Sequence, residues 1–146
     1  MSALARPGAP GVEITEFAML LYEFMERLRG EHEEAAASAS LTPAQATLLT
    51  LLSEPTSMRN LATRMGCDPS NITGIVDRLE DKGLVERLAD PSDRRVKQIA
   101  PTQAGRDTVA RFQDQLVHLS SLAKLNPDAR QGLLAILRQT QNQPTD

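Results

Sequence analysis

The feature that most constrains the fold is a pair of short helical segments joined by a tight turn. The first segment begins at Ser57, a good helix cap, and closes at Gly66, because the left-handed position that ends a helix favours glycine. The second opens with Asp68 as cap and Pro69 as first residue, and it runs to about Lys82. Two short helices with a glycine-containing turn between them match the helix-turn-helix unit.

The hydrophobic period changes directly after the second helix. The runs Leu84–Leu88 and Val96–Ile99 have the length and residue types of short strands. Between them lies a polar, turn-rich tip, Asp90–Arg95, which ends in two adjacent arginines. A β-hairpin that follows a helix-turn-helix is the wing of a winged-helix domain. We therefore predict a mainly α fold with a small β-hairpin wing.

Helical segments also flank this lobe. Proline and glycine predict a loose arm over residues 1–11, and a helix follows it. The apolar stripe of that helix is wide, which favours burial on two sides, one of them by a partner chain, over a single-sided core helix. Its apolar positions are Ile14, Phe17, Ala18, Leu20, Leu21, Phe24, Met25 and Leu28.

Capping residues place the remaining helices. Thr42 and Gln45 form a capping box at the start of the helix that precedes Ser57. Thr102 caps a long helix that is predicted to reach Ala123, and Asn126 caps the last one. The positions predicted to be buried in that last helix are Leu133, Leu134 and Leu137.

Several classes of protein are disfavoured. The one cysteine, Cys67, forms neither an internal disulfide nor a structural zinc site. The longest apolar run, Phe17–Tyr22, is too short for a membrane span, and an apolar signal-peptide core is missing, so we expect a cytoplasmic protein. Phosphate loops, nucleophile elbows and paired metal-ligand spacings are also missing. We therefore expect no enzyme, no cofactor and no metal.

The charge of the chain is unevenly distributed. The net charge of −3 and the pI of about 5.4 argue mildly against a nucleic-acid partner. Residues 57–106, however, contain nine basic and seven acidic residues, a balance of +2. The acid collects in the flanking helices, so the global value does not exclude DNA.

Several motifs, in this order, resemble the MarR family of bacterial transcriptional regulators. The run Leu61–Thr73 is similar to that family's helix-turn-helix, and Val76–Arg87 is similar to the segment after it. The most specific resemblance is the wing tip Asp90–Arg95, with Thr102–Gly105 downstream. Together the similarity covers about residues 14–140.

The resemblance implies a single domain, 1–146, that forms a winged-helix homodimer. The DNA-binding lobe would span about 42–101, and the dimerisation helices about 12–38 and 102–140. Each recognition helix would enter one major groove of a palindromic operator in double-stranded DNA. The family further implies a dimeric repressor that is released by a small aromatic or phenolic effector. The alternative is a winged-helix module for protein–protein contact without DNA binding.

The expected recognition face lies on the second helix of the helix-turn-helix. Ser70, Asn71 and Thr73 are short hydrogen-bonding residues in its first turn, suited to phosphates and base edges. Arg78 lies one turn further, within reach of a phosphate or a guanine. Gly74 departs from the family, which often has a longer basic residue there. Either the backbone approaches DNA closely at Gly74, or this position contributes little to recognition.

The wing supplies the other expected DNA contacts. Arg94 and Arg95 are placed for a narrow minor groove or for phosphates. By the resemblance, Asp93 orients an arginine through a salt bridge. Pro101 replaces the usual apolar strand residue, and since proline cannot donate to a ladder, we expect the strand to end by Ala100.

The aromatic residues are weak candidates for an effector site. They are Phe17, Tyr22, Phe24 and Phe112, and ordinary core packing is the favoured interpretation of each. Cys67 lies in the turn before the recognition helix, where its oxidation would disturb DNA binding. A small, buried apolar side chain is the more frequent role of a lone cysteine.

Overall fold

The computed structural model describes residues 10–141, as six α-helices, three short strands and one 3₁₀ helix. The helices are α1 (Pro10–Ser38), α2 (Pro43–Leu51), α3 (Met58–Met65), α4 (Pro69–Asp81), α5 (Gln103–Leu119) and α6 (Pro127–Gln141). The strands are β1 (Thr56–Ser57), β2 (Val85–Ala89) and β3 (Lys97–Pro101), and the 3₁₀ helix is Ser121–Lys124. This is the mainly helical fold with a hairpin wing that the sequence predicts. Of the predicted N-terminal arm, residues 1–9 lie outside the described residues, whereas Pro10 and Gly11 already belong to α1.

The chain divides into two compact units. The central unit is His32–His118. The terminal unit consists of the described residues of Met1–Glu31 and Leu119–Asp146.

Local caps begin the helices of the central unit where the sequence predicts them. In the capping box of α2, the Gln45 amide N–H donates to Thr42 Oγ1 at 3.3 Å, and the Thr42 amide N–H donates to Gln45 Oε1 at 3.1 Å. Ser57 Oγ caps α3, and Gly66 ends it in the left-handed conformation with φ 62°. Asp68 stands at the cap position of α4, but its side chain makes no capping hydrogen bond.

The wing belongs to a three-stranded antiparallel sheet with the order β1-β3-β2. Strand β2 lies one residue further along the chain than predicted, and β3 begins one residue later than predicted. The short strand β1, which the sequence did not predict, pairs Thr56 with Ile99 and Ser57 with Gln98. The segment before α3 thus fastens the base of the wing.

Pro101 ends β3, so the expectation that this strand stops by Ala100 is wrong by one residue. Pro101 is paired with Val85. The next residue, Thr102, donates its N–H to the Leu84 carbonyl at 3.1 Å, so its nitrogen faces the β2 side. Successive residues of a strand point their backbone nitrogens to opposite sides. The nitrogen of Pro101 therefore faces away from β2, where β1 offers no partner at this position.

The core of the central unit is aliphatic with one aromatic ring. Its fully buried side chains are Leu48, Leu49, Leu52, Leu61, Ile72, Val76, Leu79, Ile99 and Phe112. Ile75 of α4 is only half-buried. His32 packs edge-on against Phe112, with ring centroids 5.1 Å apart. Its Nε2 lies 3.3 Å from Thr47 Oγ1.

The terminal unit contains a break that the sequence analysis did not place. Helix α5 ends at Leu119, and Ser120 caps the 3₁₀ helix through its side chain, which accepts from the Leu122 amide. Ala123 therefore lies in this 3₁₀ helix, and the prediction that α5 reaches it is wrong. The Ser121 amide donates to Glu31 Oε1 at 2.9 Å, which gives the first 3₁₀ N–H an acceptor.

Large apolar side chains of the terminal unit are exposed. On α1, Ile14 is 67% exposed and Phe17 is 62% exposed. Leu134 and Leu137 of α6, which were expected to be buried, are also exposed, and Leu133 is half-buried. Nothing within residues 10–141 covers these side chains, and that is the physical reason for the failed prediction.

None of the helices within residues 10–141 is long and apolar enough to cross a membrane.

Candidate nucleic-acid interface

Helix α4 has one buried and one exposed face. Ile72, Val76 and Leu79 are fully buried and anchor the helix on the core of the central unit. The residues of the predicted recognition face all lie on the exposed side, namely Ser70, Asn71, Thr73, Gly74 and Arg78. The structure therefore brings these five positions together on one solvent-facing surface.

Three residues of this surface differ in their local contacts. Thr73 has a hydrogen bond within α4, Arg78 has no partner among residues 10–141, and Gly74 has open space around it. Thr73 Oγ1 donates to the Pro69 carbonyl at 3.1 Å, so its hydroxyl proton is already used. The Arg78 guanidinium makes no hydrogen bond or ion pair within residues 10–141. Gly74 has ordinary helical φ, and a Cβ added there would meet nothing within 4 Å. Neither the packing nor the backbone of the described chain requires glycine at this position.

Arg87 on β2 links the wing to α4. Its Nη2 lies 2.5 Å from Asp77 Oδ1, and its Nη1 pairs with Glu80 Oε2. The Arg87 side chain is 29% exposed, and the two carboxylates are one helical turn apart. The hydrogen bond with Asp77 is the main reason that the pKa of Arg87 is raised, and the charges of both carboxylates add to it.

The C-terminal end of α4 is also tied to the turn between α1 and α2. Lys82 Nζ donates to the Ser40 carbonyl at 2.7 Å and lies 3.4 Å from Gln45 Oε1. Ser40 has φ 57°, the one positive φ of a non-glycine residue in the described chain. Lys82 thereby holds the C-terminal end of the recognition helix in place.

Asp90 organises the tip of the wing. Its Oδ1 accepts from the amide and the hydroxyl of Ser92 at 2.7 and 2.5 Å and from the Asp93 amide at 3.3 Å. Its Oδ2 accepts from Gln98 Nε2 at 2.5 Å. These bonds, led by that from the Ser92 hydroxyl, hold the pKa of Asp90 below its usual value.

Asp93 does not form the salt bridge implied by the resemblance. Its Oδ1 instead accepts the backbone N–H of Arg95 at 3.0 Å, and none of the ion pairs among residues 10–141 includes Asp93. An aspartate side chain readily accepts the backbone N–H two residues later, which closes a tight turn. In this turn the Asp93 carboxylate binds the backbone of Arg95 and not its guanidinium. The guanidinium groups of Arg94 and Arg95 are exposed, and the described chain gives them no partner.

Sequence reasoning missed the structural roles of Arg87, Lys82 and Asp90. Arg87 and Lys82 act across gaps of seven or more residues, and their partners become visible only once α4 and β2 are packed. Asp90 had a local signal, since an aspartate two residues before a serine, in a run with proline, is typical of an Asx turn.

The aromatic candidates for an effector site are divided between the two units. Phe112 is in the core of the central unit, whereas Phe17, Tyr22 and Phe24 lie on the part of α1 that belongs to the terminal unit. The central unit has a cavity of about 280 Å³ between α2, the end of β3 and α5. Its lining includes Leu49, Leu52, Pro101, Val109, Arg106 and Gln113.

Cys67 is a half-buried free thiol at the turn between α3 and α4. It lines an open cleft of about 480 Å³ together with Arg59 and Thr63. Within residues 10–141, histidine, cysteine and carboxylate side chains form no group of three that would hold a metal ion.

Comparison with known proteins gives a consistent result. The family model described as MarR family matches residues 41–97. The transcriptional repressor NicR of Pseudomonas putida is 31% identical over 124 residues, which cover 82% of this chain and 78% of NicR. The transcriptional repressor MdtR of Bacillus subtilis is 31% identical over 94 residues. That match covers 63% of this chain but only 61% of the length of MdtR.

A solved structure extends the similarity to the whole fold. The crystal structure of CouR from Rhodococcus jostii RHA1, bound to p-coumaroyl-CoA, superimposes with a TM-score of 0.74. The two chains are 31% identical, and the match covers 89% of this chain and 94% of CouR.

Proposed function

This chain belongs to the MarR family, and from that premise we propose that it is a transcriptional regulator that binds double-stranded DNA as a homodimer. The observation that carries the proposal is the pairing of two exposed surfaces in the central unit. One is the polar face of α4, and the other is the wing tip with Arg94 and Arg95. Both present polar or cationic groups that the described chain does not use.

In this proposal α4 enters the major groove. Asn71 bonds an adenine edge, and the Ser70 hydroxyl and backbone N–H bind phosphate. Arg78 adds a phosphate or guanine contact. Arg94 and Arg95 lie in the adjacent minor groove or on its phosphates, where a narrow groove attracts arginine. Because DNA is the partner, the proposal places the protein in the cytoplasm.

The terminal unit supplies the dimer contact. Its exposed apolar side chains on α1 and α6 are larger and more numerous than a monomer ordinarily presents to water. A second copy of the chain is the partner that the family supports. A dimer places two recognition helices on one palindromic operator, with half-sites about one helical turn apart.

We further propose that the protein is a repressor released by a small aromatic or phenolic molecule. NicR and MdtR are named as repressors, and CouR is described with a bound aromatic thioester. The cavity between α2, β3 and α5 has an apolar floor and, in Arg106, a cation without a partner in the described chain. An aromatic acid panel should raise the melting temperature of the wild type, and Arg106→Ala should remove that shift.

The DNA proposal is tested by measuring affinity for duplex DNA against salt concentration. Affinity should fall steeply as salt rises, because phosphate contacts release counterions. Arg95→Ala should weaken binding and reduce the slope of log affinity against log salt by about 1. Arg111→Ala, which removes an exposed arginine of α5 outside both proposed surfaces, is the matched control and should change neither value.

Absent or salt-insensitive binding by the wild type would contradict the proposal. It would favour the alternative, a winged-helix module that contacts other proteins. Wild-type behaviour of Arg95→Ala would remove the wing from the interface and leave α4 as the DNA-binding element.

A further inference from the structure

We propose that Arg87 is a positioning residue that couples the recognition helix to the wing, so that both elements meet the DNA as one rigid unit. The inference rests on the proposed function, because it concerns how that interface is held together. It assigns Arg87 no contact with DNA.

The geometry makes Arg87 a two-point clamp. One guanidinium nitrogen binds Asp77 and the other binds Glu80, so a single side chain fixes two positions one turn apart on α4. A planar guanidinium offers this fork in a fixed shape, whereas a lysine ammonium is a point charge that can satisfy one carboxylate and then rotate. The side chain is about two-thirds shielded from water, which limits its screening by salt.

The sheet carries this restraint to the tip of the wing. Arg87 is the central residue of β2, opposite Ile99 on β3, and the two strands pair over all five positions. Arg94 and Arg95 lie on the loop that joins these strands. Fixing Arg87 to α4 therefore limits where the two wing arginines can lie relative to the groove that α4 enters.

A simpler role for Arg87 would be charge cancellation. Asp77 is exposed and lies on the same face of α4 as Thr73 and Gly74, where a carboxylate repels phosphates. If cancellation were the whole role, removal of both carboxylates would improve DNA binding. If the clamp matters, the same removal would harm specific binding in spite of the more favourable charge. The two roles thus predict opposite results.

The experiment compares Asp77→Ala/Glu80→Ala with the wild type. The probes are a duplex selected by the wild type from a randomised pool and a random-sequence duplex of equal length. We expect the double variant to bind the random duplex more tightly and the selected duplex more weakly. The ratio of the two affinities should fall roughly tenfold, within the range of coupling between directly contacting groups.

Two further variants sharpen the result. Asp81→Ala removes an exposed α4 carboxylate outside the clamp, and it should tighten binding to both duplexes equally. Arg87→Lys keeps the charge but loses the fork, so its affinity ratio should fall as in the double variant. Melting temperatures and circular dichroism confirm that each variant is folded.

The inference is overturned if the double variant behaves like Asp81→Ala, or if Arg87→Lys retains the wild-type affinity ratio. A wild type that selects no duplex at all is a different result. It contradicts the proposed function itself, and the inference falls with it.

Discussion

The two units of this molecule use the same residue types in opposite ways. In the central unit, Leu48 is fully buried, and Phe112, 2% exposed, is enclosed by the core. In the terminal unit, Phe17 remains 62% exposed and Leu137 50% exposed. The central unit therefore completes its own core, whereas the terminal unit presents an apolar surface that no part of the described residues 10–141 covers.

Because of this difference, the stabilities of the two units should have different sources. Burial of apolar surface contributes about 25 cal/mol per Å², and the central unit gains that contribution on folding. The terminal unit gains it only when another surface covers α1 and α6. Its stability should therefore depend on protein concentration, and that of the central unit should not.

The largest expected effect is the loss of the dimer. Phe17→Glu combined with Leu20→Glu places two charges on the exposed apolar face of α1, where burial in an interface would be costly. Sedimentation velocity should show the wild type as a dimer and the double variant as a monomer. Glu23→Gln changes an exposed polar residue on the same helix and should stay dimeric. An unchanged sedimentation coefficient of the double variant would contradict the assignment of this face.

Next in size is a pair of leucine truncations, one in each unit. Leu48→Ala removes a fully buried side chain and should lower the free energy of unfolding by about 2–5 kcal/mol at any protein concentration. Leu20→Ala, at an exposed position, should destabilise the protein only at protein concentrations at which the dimer forms. Urea unfolding at two protein concentrations separates these effects. Equal concentration dependence in the two variants would remove the distinction between the units.

A smaller effect is expected at two exposed helical glycines, Gly74 in α4 and Gly132 in α6. Neither has an atom within 4 Å of an added Cβ, so alanine at either position should raise stability by about 1 kcal/mol. Gly74→Ala should also weaken binding to the selected duplex, because the proposed DNA surface lies against α4. Gly132→Ala should not. Thermal unfolding and DNA titration of the two variants measure these effects. Wild-type DNA affinity of Gly74→Ala would show that the backbone at Gly74 does not approach DNA closely.

The smallest effect concerns the pH dependence of the wing tip. Because the hydrogen bonds hold the pKa of Asp90 below its unfolded value of about 3.9, its stabilising contribution is present above that value. The contribution is lost as the pH falls through the lowered folded pKa. Amide chemical shifts of Ser92 and Asp93 should therefore stay native-like at pH 5 and change below about pH 4. In Asp90→Asn this change should disappear, and an identical titration in the variant would assign it to another group.

The elements that the sequence predicted well are those with local signals. The capping box at Thr42, the left-handed Gly66 and the hairpin after α4 each depend on residues within a few positions of one another. The exposed face of α4 followed from helical periodicity. Short-range chemistry was therefore sufficient for the winged-helix fold and for the positions of the proposed DNA contacts.

What the sequence did not predict depends on partners distant along the chain. Strand β1 exists because β3, about 40 residues later, offers it a ladder. Arg87 becomes a clamp only when β2 packs against α4, and the tolerance of Pro101 depends on which neighbour strand its nitrogen faces. The salt bridge expected of Asp93 failed because its own backbone turn was the nearer partner. The break after Leu119 had a local signal, a serine that caps the 3₁₀ helix, but the apolar period continued through it.

The order β1-β3-β2 also bears on aggregation. An open sheet has two edges, and an unpaired edge is a template on which another chain can add a strand. Here one edge, β1, is only two residues long, and the other, β2, has charged side chains at Glu86 and Arg87. Neither is the long, flat, apolar edge that promotes fibril growth. The sheet is therefore poorly suited to self-association. In the proposed dimer, the exposed apolar faces of α1 and α6 would direct assembly toward a closed pair and away from open-ended stacking.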